Sequence, residues 1–143
     1  MHEEVSKEIT DKSVHIAVRL AKPVLEDFMN NKPWAYVTSA WSDDRSRAKR
    51  SAKRYCRKLY EAGYTPICPL LYLPDIIDIS NADEYKDYTD MSEDMLRRSR
   101  ILVVCGTAVD ETVLTDIAIA NRFHVASSTM TGVLGVDKNK KDE

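Results

Sequence analysis

Side chains that could bind or act on a small ligand are concentrated in three segments of the chain, residues 39–45, 68–74 and 106–116. Each segment follows a β-rich or apolar run that is typical of a strand. In open α/β sheets, ligands bind beyond the carboxyl ends of the strands, because loop amides and helix N-termini converge there. The three segments are therefore the candidates for contact with a ligand at that edge.

The elements that must position these segments alternate between strand and helix. Strands are predicted at residues 34–39, 65–68, 101–105 and 124–127, with an extended stretch at 70–73. Helices are predicted from Asp43 or Asp44 to Gly63, from about Tyr85 to Arg100, and over residues 111–121. This alternation predicts an α/β fold with a doubly wound, mostly parallel sheet, a Rossmann-like or flavodoxin-like three-layer sandwich.

The chain divides into three parts at the sequence level. Residues 1–33 are predicted as an N-terminal helical arm, because apolar residues recur at helical spacing between Ser13 and Met29 with a bend at Pro23. Residues 34–136 form the α/β domain. Residues 137–143 are charged and contain no apolar side chain, so we expect a flexible tail.

Composition narrows the possible environments and partners. The chain has 143 residues, 43% of them hydrophobic and 31% charged, as in an ordinary globular domain. The sequence contains neither an apolar run of about 20 residues nor a signal-peptide core, so we expect a cytoplasmic protein without membrane contact. Cys56, Cys68 and Cys105 lack metal-site spacing and are expected to be reduced core thiols. The histidines also lack ligand spacing, so neither a metal nor a cofactor is expected.

A basic helix follows the first predicted strand and carries eight Lys or Arg residues between Arg45 and Lys58. These residues surround a regular apolar stripe, which favours a solvated helix face over a nucleic-acid surface. A phosphate contact by Arg45 or Arg47 is the alternative. The acidic stretch from Asp75 to Asp94 could supply an internal or intersubunit partner for this face.

Two stretches carry a resemblance to a known enzyme family. Residues 36–45, Tyr-Val-Thr-Ser-Ala-Trp-Ser-Asp-Asp-Arg, resemble the first strand and loop of nucleoside 2-deoxyribosyltransferases. That family places an Asp six residues before a nucleophilic Glu, followed by small residues; Asp110 and Asp116-Ile117-Ala118-Ile119-Ala120 reproduce this spacing. The Gly63–Tyr72 segment is similar to uncharacterised bacterial and phage domains of the same superfamily. The resemblance covers residues 34–125.

The resemblance implies roles for particular residues. Asp116 takes the position of the nucleophile, and Tyr36 the position that orients it. A further Asp of the family aligns with Ser92, so Asp94 is nominated as a nearby catalytic carboxylate. The substrate-binding positions implied are Asp110, Ser39, Trp41, Arg45 and Thr107. The implied partner is a small nucleoside or nucleotide, whose N-glycosidic bond is transferred or hydrolysed through an oxocarbenium-like sugar.

Other interpretations of the same residues remain open. Asp110 could be the N-cap of the helix that follows it, Asp116 could face solvent, and Tyr36 could belong to the core. The chain could then be a binding module that captures a nucleotide-type ligand without catalysis, or an oligomeric scaffold built on the N-terminal arm. Because members of the superfamily complete their pocket with a neighbouring subunit, the resemblance also implies a homo-oligomer.

Overall fold

The computed structural model describes residues 32–41 and 44–141, the side chains of 136–141 excepted. The predicted N-terminal arm therefore lies outside the described residues. The strands are β1 (Trp34–Ser39), β2 (Thr65–Ile67), β3 (Ile101–Cys105) and β4 (Ala126–Thr129). The helices are α1 (Arg45–Glu61), α2 (Leu73–Ile76), α3 (Ala82–Arg97), α4 (Glu111–Arg122) and α5 (Met130–Lys141), with a 3₁₀ turn at Pro69–Leu71.

All four strands are parallel and form one sheet in the order β2-β1-β3-β4. The chain moves outward from β1 to β2, then crosses back to β3 on the other side of β1. Right-handed crossovers in opposite directions place helices on both faces of a sheet. The predicted doubly wound α/β sandwich is confirmed, and the strand order reverses between the carboxyl ends of β1 and β3.

Alternate residues of β1 face different layers of the sandwich. Ala35 and Val37 pack in one core cluster with Leu59 of α1. Tyr36 packs in the opposite cluster, with Leu96 of α3 and others. Because side chains alternate along a strand, Thr38 lies on the same face as Tyr36. The polar end of β1 is thus directed toward α3 and α4.

The basic helix begins at the predicted cap. The side chain of Asp44 accepts hydrogen bonds from the backbone N–H groups of Ser46 and Arg47 at 3.0 and 3.3 Å. These bonds satisfy amides that the first helical turn leaves unpaired. The ion pair between Lys49 and Asp75, 2.7 Å long, joins the helix to the acidic stretch, as the charge pattern suggested.

The structure corrects the extended stretch predicted at residues 70–73. These residues instead form the 3₁₀ turn and the start of α2. Pro69 and Pro74 each occupy one of the first two positions of these short helices. Proline favours such positions because its fixed φ suits a helix and its missing N–H would have no partner there.

The last strand begins two residues later than predicted. His124 adopts a left-handed φ of 60° directly after α4. The N–H of Val125 then donates to the carbonyl of Ala120 at 2.8 Å, closing the helix end. Residues 124 and 125 are used in this closure, so pairing with β3 starts at Ala126.

Helix boundaries differ from the predictions at two further points. Helix α3 starts at Ala82 rather than near Tyr85, because the side chain of Asn81 caps it by accepting from two backbone amides. Helix α5 continues to Lys141, so the backbone of residues 137–141 is helical where a tail was expected. Lysine has a high helix propensity, and its charge is favourable at a helix C-terminus.

Candidate functional site

A cavity of about 350 Å³ lies at the carboxyl end of β1, between that strand, α3 and α4. We call it the first cavity. Its lining includes side chains from all three elements and from the segment after β2: Tyr36, Val37, Thr38, Ser39, Trp41, Cys68, Pro69, Leu70, Tyr85, Tyr88, Thr89, Ser92, Glu93, Glu111, Thr112, Thr115, Asp116 and Ile119. The cavity therefore occupies the edge at which a doubly wound sheet binds ligands.

Asp116 is the carboxylate that α4 brings to the end of β1. The hydroxyl of Thr38, itself only 3% exposed, donates to Asp116 Oδ2 at 2.6 Å. Burial raises the pKa of Asp116 to about 6; the Thr38 hydrogen bond opposes this rise, and the charge of Asp110 adds to it. Asp116 is thus a partly buried carboxylate that changes protonation state near neutral pH, which suits acid–base or nucleophilic chemistry.

Asp110 connects the first loop to the start of α4. Its Oδ1 accepts from the N–H of Val113 at 3.1 Å, which is the N-cap interaction considered from the sequence. Its Oδ2 accepts from the N–H of Trp41 at 2.9 Å. Both carboxylate oxygens therefore have protein donors, and Asp110 holds Trp41 beside the cavity instead of lining it.

Aromatic side chains form one wall of the first cavity. The rings of Trp41 and Tyr88 meet edge to face, with centroids 6.2 Å apart. Tyr85 and Tyr88, one turn apart on α3, are stacked with centroids 6.3 Å apart. Tyr85 entered the sequence prediction only as the start of a helix, and Tyr88 was not among the candidate residues. Their spacing of three residues, on a helix crossing to the buried strand β3, was the signal that they share a face.

Tyr36 lies on the floor of the first cavity and is 5% exposed. Burial raises its pKa well above the usual range, and the negative charge of Asp116 raises it further. Burial is also the main reason that the pKa of Tyr88 is raised. Both phenols stay protonated at neutral pH and can donate hydrogen bonds to a ligand.

The remaining predicted residues are not all brought to this cavity. Asp94 pairs with Arg98 at 3.1 Å and does not line the first cavity. It is two residues from Ser92, which rotates it about 200° around α3 and away from the cavity. Arg45, the exposed first residue of α1, lines neither cavity described here. Ser39, which the resemblance implied as a substrate-binding residue, does line the first cavity.

Thr107 belongs to a second cavity of about 220 Å³, on the α1 side of the same sheet edge. Ser39 lines both cavities, whereas Arg47 and Tyr55 line only the second. Gly106 also lines it with a left-handed φ of 82°, and a Cβ there would lie 3.1 Å from the Tyr55 hydroxyl. A larger residue at this position would be strained and would press on the cavity wall.

All three cysteines are free thiols, as predicted. Cys56 and Cys105 are buried, and burial raises the pKa of Cys105 to about 12. A protonated thiol is a poor nucleophile and a poor metal ligand. Cys68 differs in lining the first cavity.

Comparison with known proteins places the chain in a family. Residues 33–129 match a domain of unknown function, DUF7768. The chain belongs to the DUF7768 family. The match runs from the start of β1 to the end of β4 and so includes every residue that lines the first cavity. No curated protein matches the chain.

Two structural observations bear on the chemistry available to this DUF7768 domain. In the part of the chain that the structure describes, no group of three or more His, Cys, Asp or Glu side chains could hold a metal ion. None of the described helices is long and apolar enough to cross a membrane. The polar side chains that line the first cavity are carboxylates, hydroxyls, the aromatic Trp41 and tyrosines, and the thiol of Cys68.

Proposed function

We propose that this domain binds a nucleoside or nucleotide in the first cavity and acts on its N-glycosidic bond. The observation that carries the proposal is the pairing of the Asp116 carboxylate with an aromatic wall in one cavity at the switch in strand order. A nucleoside has a flat ring that stacks on aromatic side chains and a sugar whose reacting carbon a carboxylate can attack. The cavity volume, about 350 Å³, is within the range of small-ligand sites.

The reaction proceeds in two displacement steps. Asp116 attacks C1′ of the sugar, the bond between C1′ and the base nitrogen breaks, and the base leaves with the bonding electrons and takes a proton from water. Water, or the nitrogen of a second base, then attacks C1′ and loses a proton to solvent as the carboxylate is released. The first outcome is hydrolysis and the second is transfer.

The raised pKa of Asp116 has a consequence for the first step. Burial makes the charged carboxylate less well solvated, so neutralising it by bond formation with C1′ becomes more favourable. Thr38 donates to Oδ2, which leaves Oδ1 as the attacking oxygen. Protonated Tyr36, beside Asp116, is placed to hold the carboxylate or the sugar by donating a hydrogen bond.

A binding module without catalysis is the second candidate. It is favoured by the short Thr38–Asp116 hydrogen bond, which ties the carboxylate back toward β1. Asp is also one methylene shorter than the Glu of the family that the sequence resembles. A misplacement of about 1 Å can lower a rate about 100-fold, so a retained pocket could bind ligand without turning it over.

One experiment separates these candidates. The chain is incubated with 2′-deoxynucleosides and their monophosphates, released base is measured by chromatography, and melting is followed with and without ligand. Base release that falls about 100-fold or more in Asp116→Asn supports the enzyme. Asp94→Asn, a matched change on an exposed carboxylate of α3, is the control and should keep the wild-type rate. A ligand-dependent rise in melting temperature without base release supports the binding module, and the absence of both refutes the proposal.

A further inference from the structure

Ser92 presents a buried polar atom that completes no hydrogen bond within the described structure. No contact of its Oγ meets hydrogen-bond geometry, although the Tyr36 and Tyr88 hydroxyls are nearby. The residue lies on the inner face of α3 and lines the first cavity. A buried hydroxyl that completes no hydrogen bond is less favourable than a satisfied one, so such an atom in a native fold calls for an explanation.

Two nearby hydroxyls, one in α3 and one just after it, show what Ser92 lacks. Thr89 donates to the backbone carbonyl of Lys86 at 2.8 Å, and Ser99 donates to that of Met95 at 2.9 Å. Ser and Thr residues in helices commonly pair with the preceding turn in this way. Ser92 has a carbonyl available at Tyr88 but makes no bond to it, which leaves its hydroxyl for another partner.

The surroundings of Ser92 belong to the polar end of the cavity. The hydroxyl of Ser92 lies within hydrogen-bonding range of those of Tyr36 and Tyr88 and lowers the pKa of each phenol against the larger effect of burial, although neither contact meets hydrogen-bond geometry. Both tyrosines also sense the charge of Asp116. Tyr36 is 5% exposed, whereas Tyr85, three residues before Tyr88, is 49% exposed. The cavity therefore has a deep end of hydroxyls and a carboxylate, and an aromatic side nearer to solvent.

We propose that Ser92 determines ligand specificity by hydrogen-bonding a sugar hydroxyl at the deep end of the first cavity, while the base lies against the aromatic wall. This inference rests on the proposed function. A sugar hydroxyl can both donate and accept hydrogen bonds, so it could bond to the Ser92 hydroxyl and to a protonated tyrosine at the same time. A phosphate would not, since the residues lining this cavity include Asp116, Glu93 and Glu111 but no Lys or Arg.

The test compares Ser92→Ala with Ser99→Ala, the same change at a partnered hydroxyl seven residues later, just beyond the end of α3. Without ligand, Ser92→Ala should melt at the wild-type temperature or up to about 4 °C higher, because it removes an unpaired buried group. Ser99→Ala should melt lower, because it removes a hydrogen bond. With the deoxynucleoside that binds wild type most tightly, Ser92→Ala should raise Kd about 3- to 10-fold, and Ser99→Ala should leave it unchanged.

Ligand analogues identify the partner of Ser92. The same titrations use analogues that lack either the 3′- or the 5′-hydroxyl of the sugar. For one of them, Ser92→Ala should cause no further loss of affinity, because the interaction is already absent. An equal loss for both analogues, or a lower melting temperature with unchanged affinity, would overturn the assignment of Ser92 and leave the proposed function standing. Wild type that binds no nucleoside would overturn both.

Discussion

The first and second cavities lie at the same edge of the sheet and share Ser39, yet their chemistry differs. The first is lined by Asp116, Glu93 and Glu111, together with aromatic and hydroxyl side chains. The second is smaller and is lined by Arg47. Aromatic rings suit a neutral base, and carboxylates suit the positive charge that would develop on a sugar. The difference between the cavities therefore favours the first one as the site of the proposed reaction.

The largest effect is expected where the two cavities differ most, at the buried charge of Asp116. The measurement is how much this charge lowers the free energy of unfolding. Its native pKa of about 6 lies above the ordinary value of 3.8, so the proton is held more tightly in the folded chain. The resulting stabilisation is present below pH 4 and is lost as pH rises through 6. Asp116→Asn should therefore raise the free energy of unfolding by about 2–3 kcal/mol at pH 8, and by much less at pH 4.

Urea unfolding at the two pH values measures this effect. Asp94→Asn, on an exposed ion pair, is the matched control and should change stability little at either pH. An Asp116→Asn variant that is no more stable than wild type at pH 8 would show that the carboxylate is well solvated. The first cavity would then lose the electrostatic character that separates it from the second.

The aromatic wall is the second feature that distinguishes the first cavity from the second, and its role in binding can be tested. Trp41→Ala removes the ring that contacts Tyr88 and should weaken nucleoside binding about 5- to 30-fold, because stacking on an aromatic ring contributes about 1–2 kcal/mol. Tyr60→Ala, at a ring 55% exposed on α1, is the control. Equal affinities of Trp41→Ala and wild type, measured by calorimetry, would exclude this wall as the base site.

The pH dependence of base release tests the same carboxylate in action. In the proposed reaction, attack on C1′ requires the deprotonated form of Asp116, whose pKa is about 6. The rate should therefore rise with pH and level off above pH 7, and at pH 5 it should be about tenfold below the plateau. A rate that stays flat from pH 4.5 to 7.5 would assign the reaction to a different group.

The smallest expected effect concerns the second cavity. Arg47→Ala should change the affinity for an uncharged nucleoside less than about twofold, because Arg47 does not line the first cavity and exposed charges act weakly at a distance. Calorimetric titration of both proteins at the same salt concentration is the measurement. A large loss of affinity would mean that the two cavities bind one ligand together.

Much of the fold could be predicted because its signals are local. The five consecutive apolar residues Ile101–Cys105 and the Asp44 cap of α1 depend on nearby sequence; the strand was predicted at the position observed, and the cap at Asp43 or Asp44. The extended stretch at 70–73 was wrong because its prolines suit a helical first turn as well as an extended chain. The start of β4 was misplaced because the left-handed His124 is not marked by a glycine.

The candidate site was only partly predictable. The nominations of Asp116, Tyr36, Ser39 and Trp41 came from spacing and resemblance, and the structure gathers them around one cavity. Tyr85, Tyr88 and Ser92 line the first cavity but were not nominated, whereas Asp94 was nominated and does not line it. Helical phase is the physical reason: a shift of two residues turns a side chain by about 200°.

By itself, the sequence determined the alternation of strands and helices, the buried central strand and the edge at which polar side chains collect, because these depend on periodicity and capping within short stretches. The tertiary structure alone decided which hydroxyl meets which carboxylate. Thr38 and Asp116 are 78 residues apart in the chain, and their 2.6 Å hydrogen bond exists only because β1 and α4 pack side by side. Contacts across such distances depend on strand order and helix packing, which no local pattern contains.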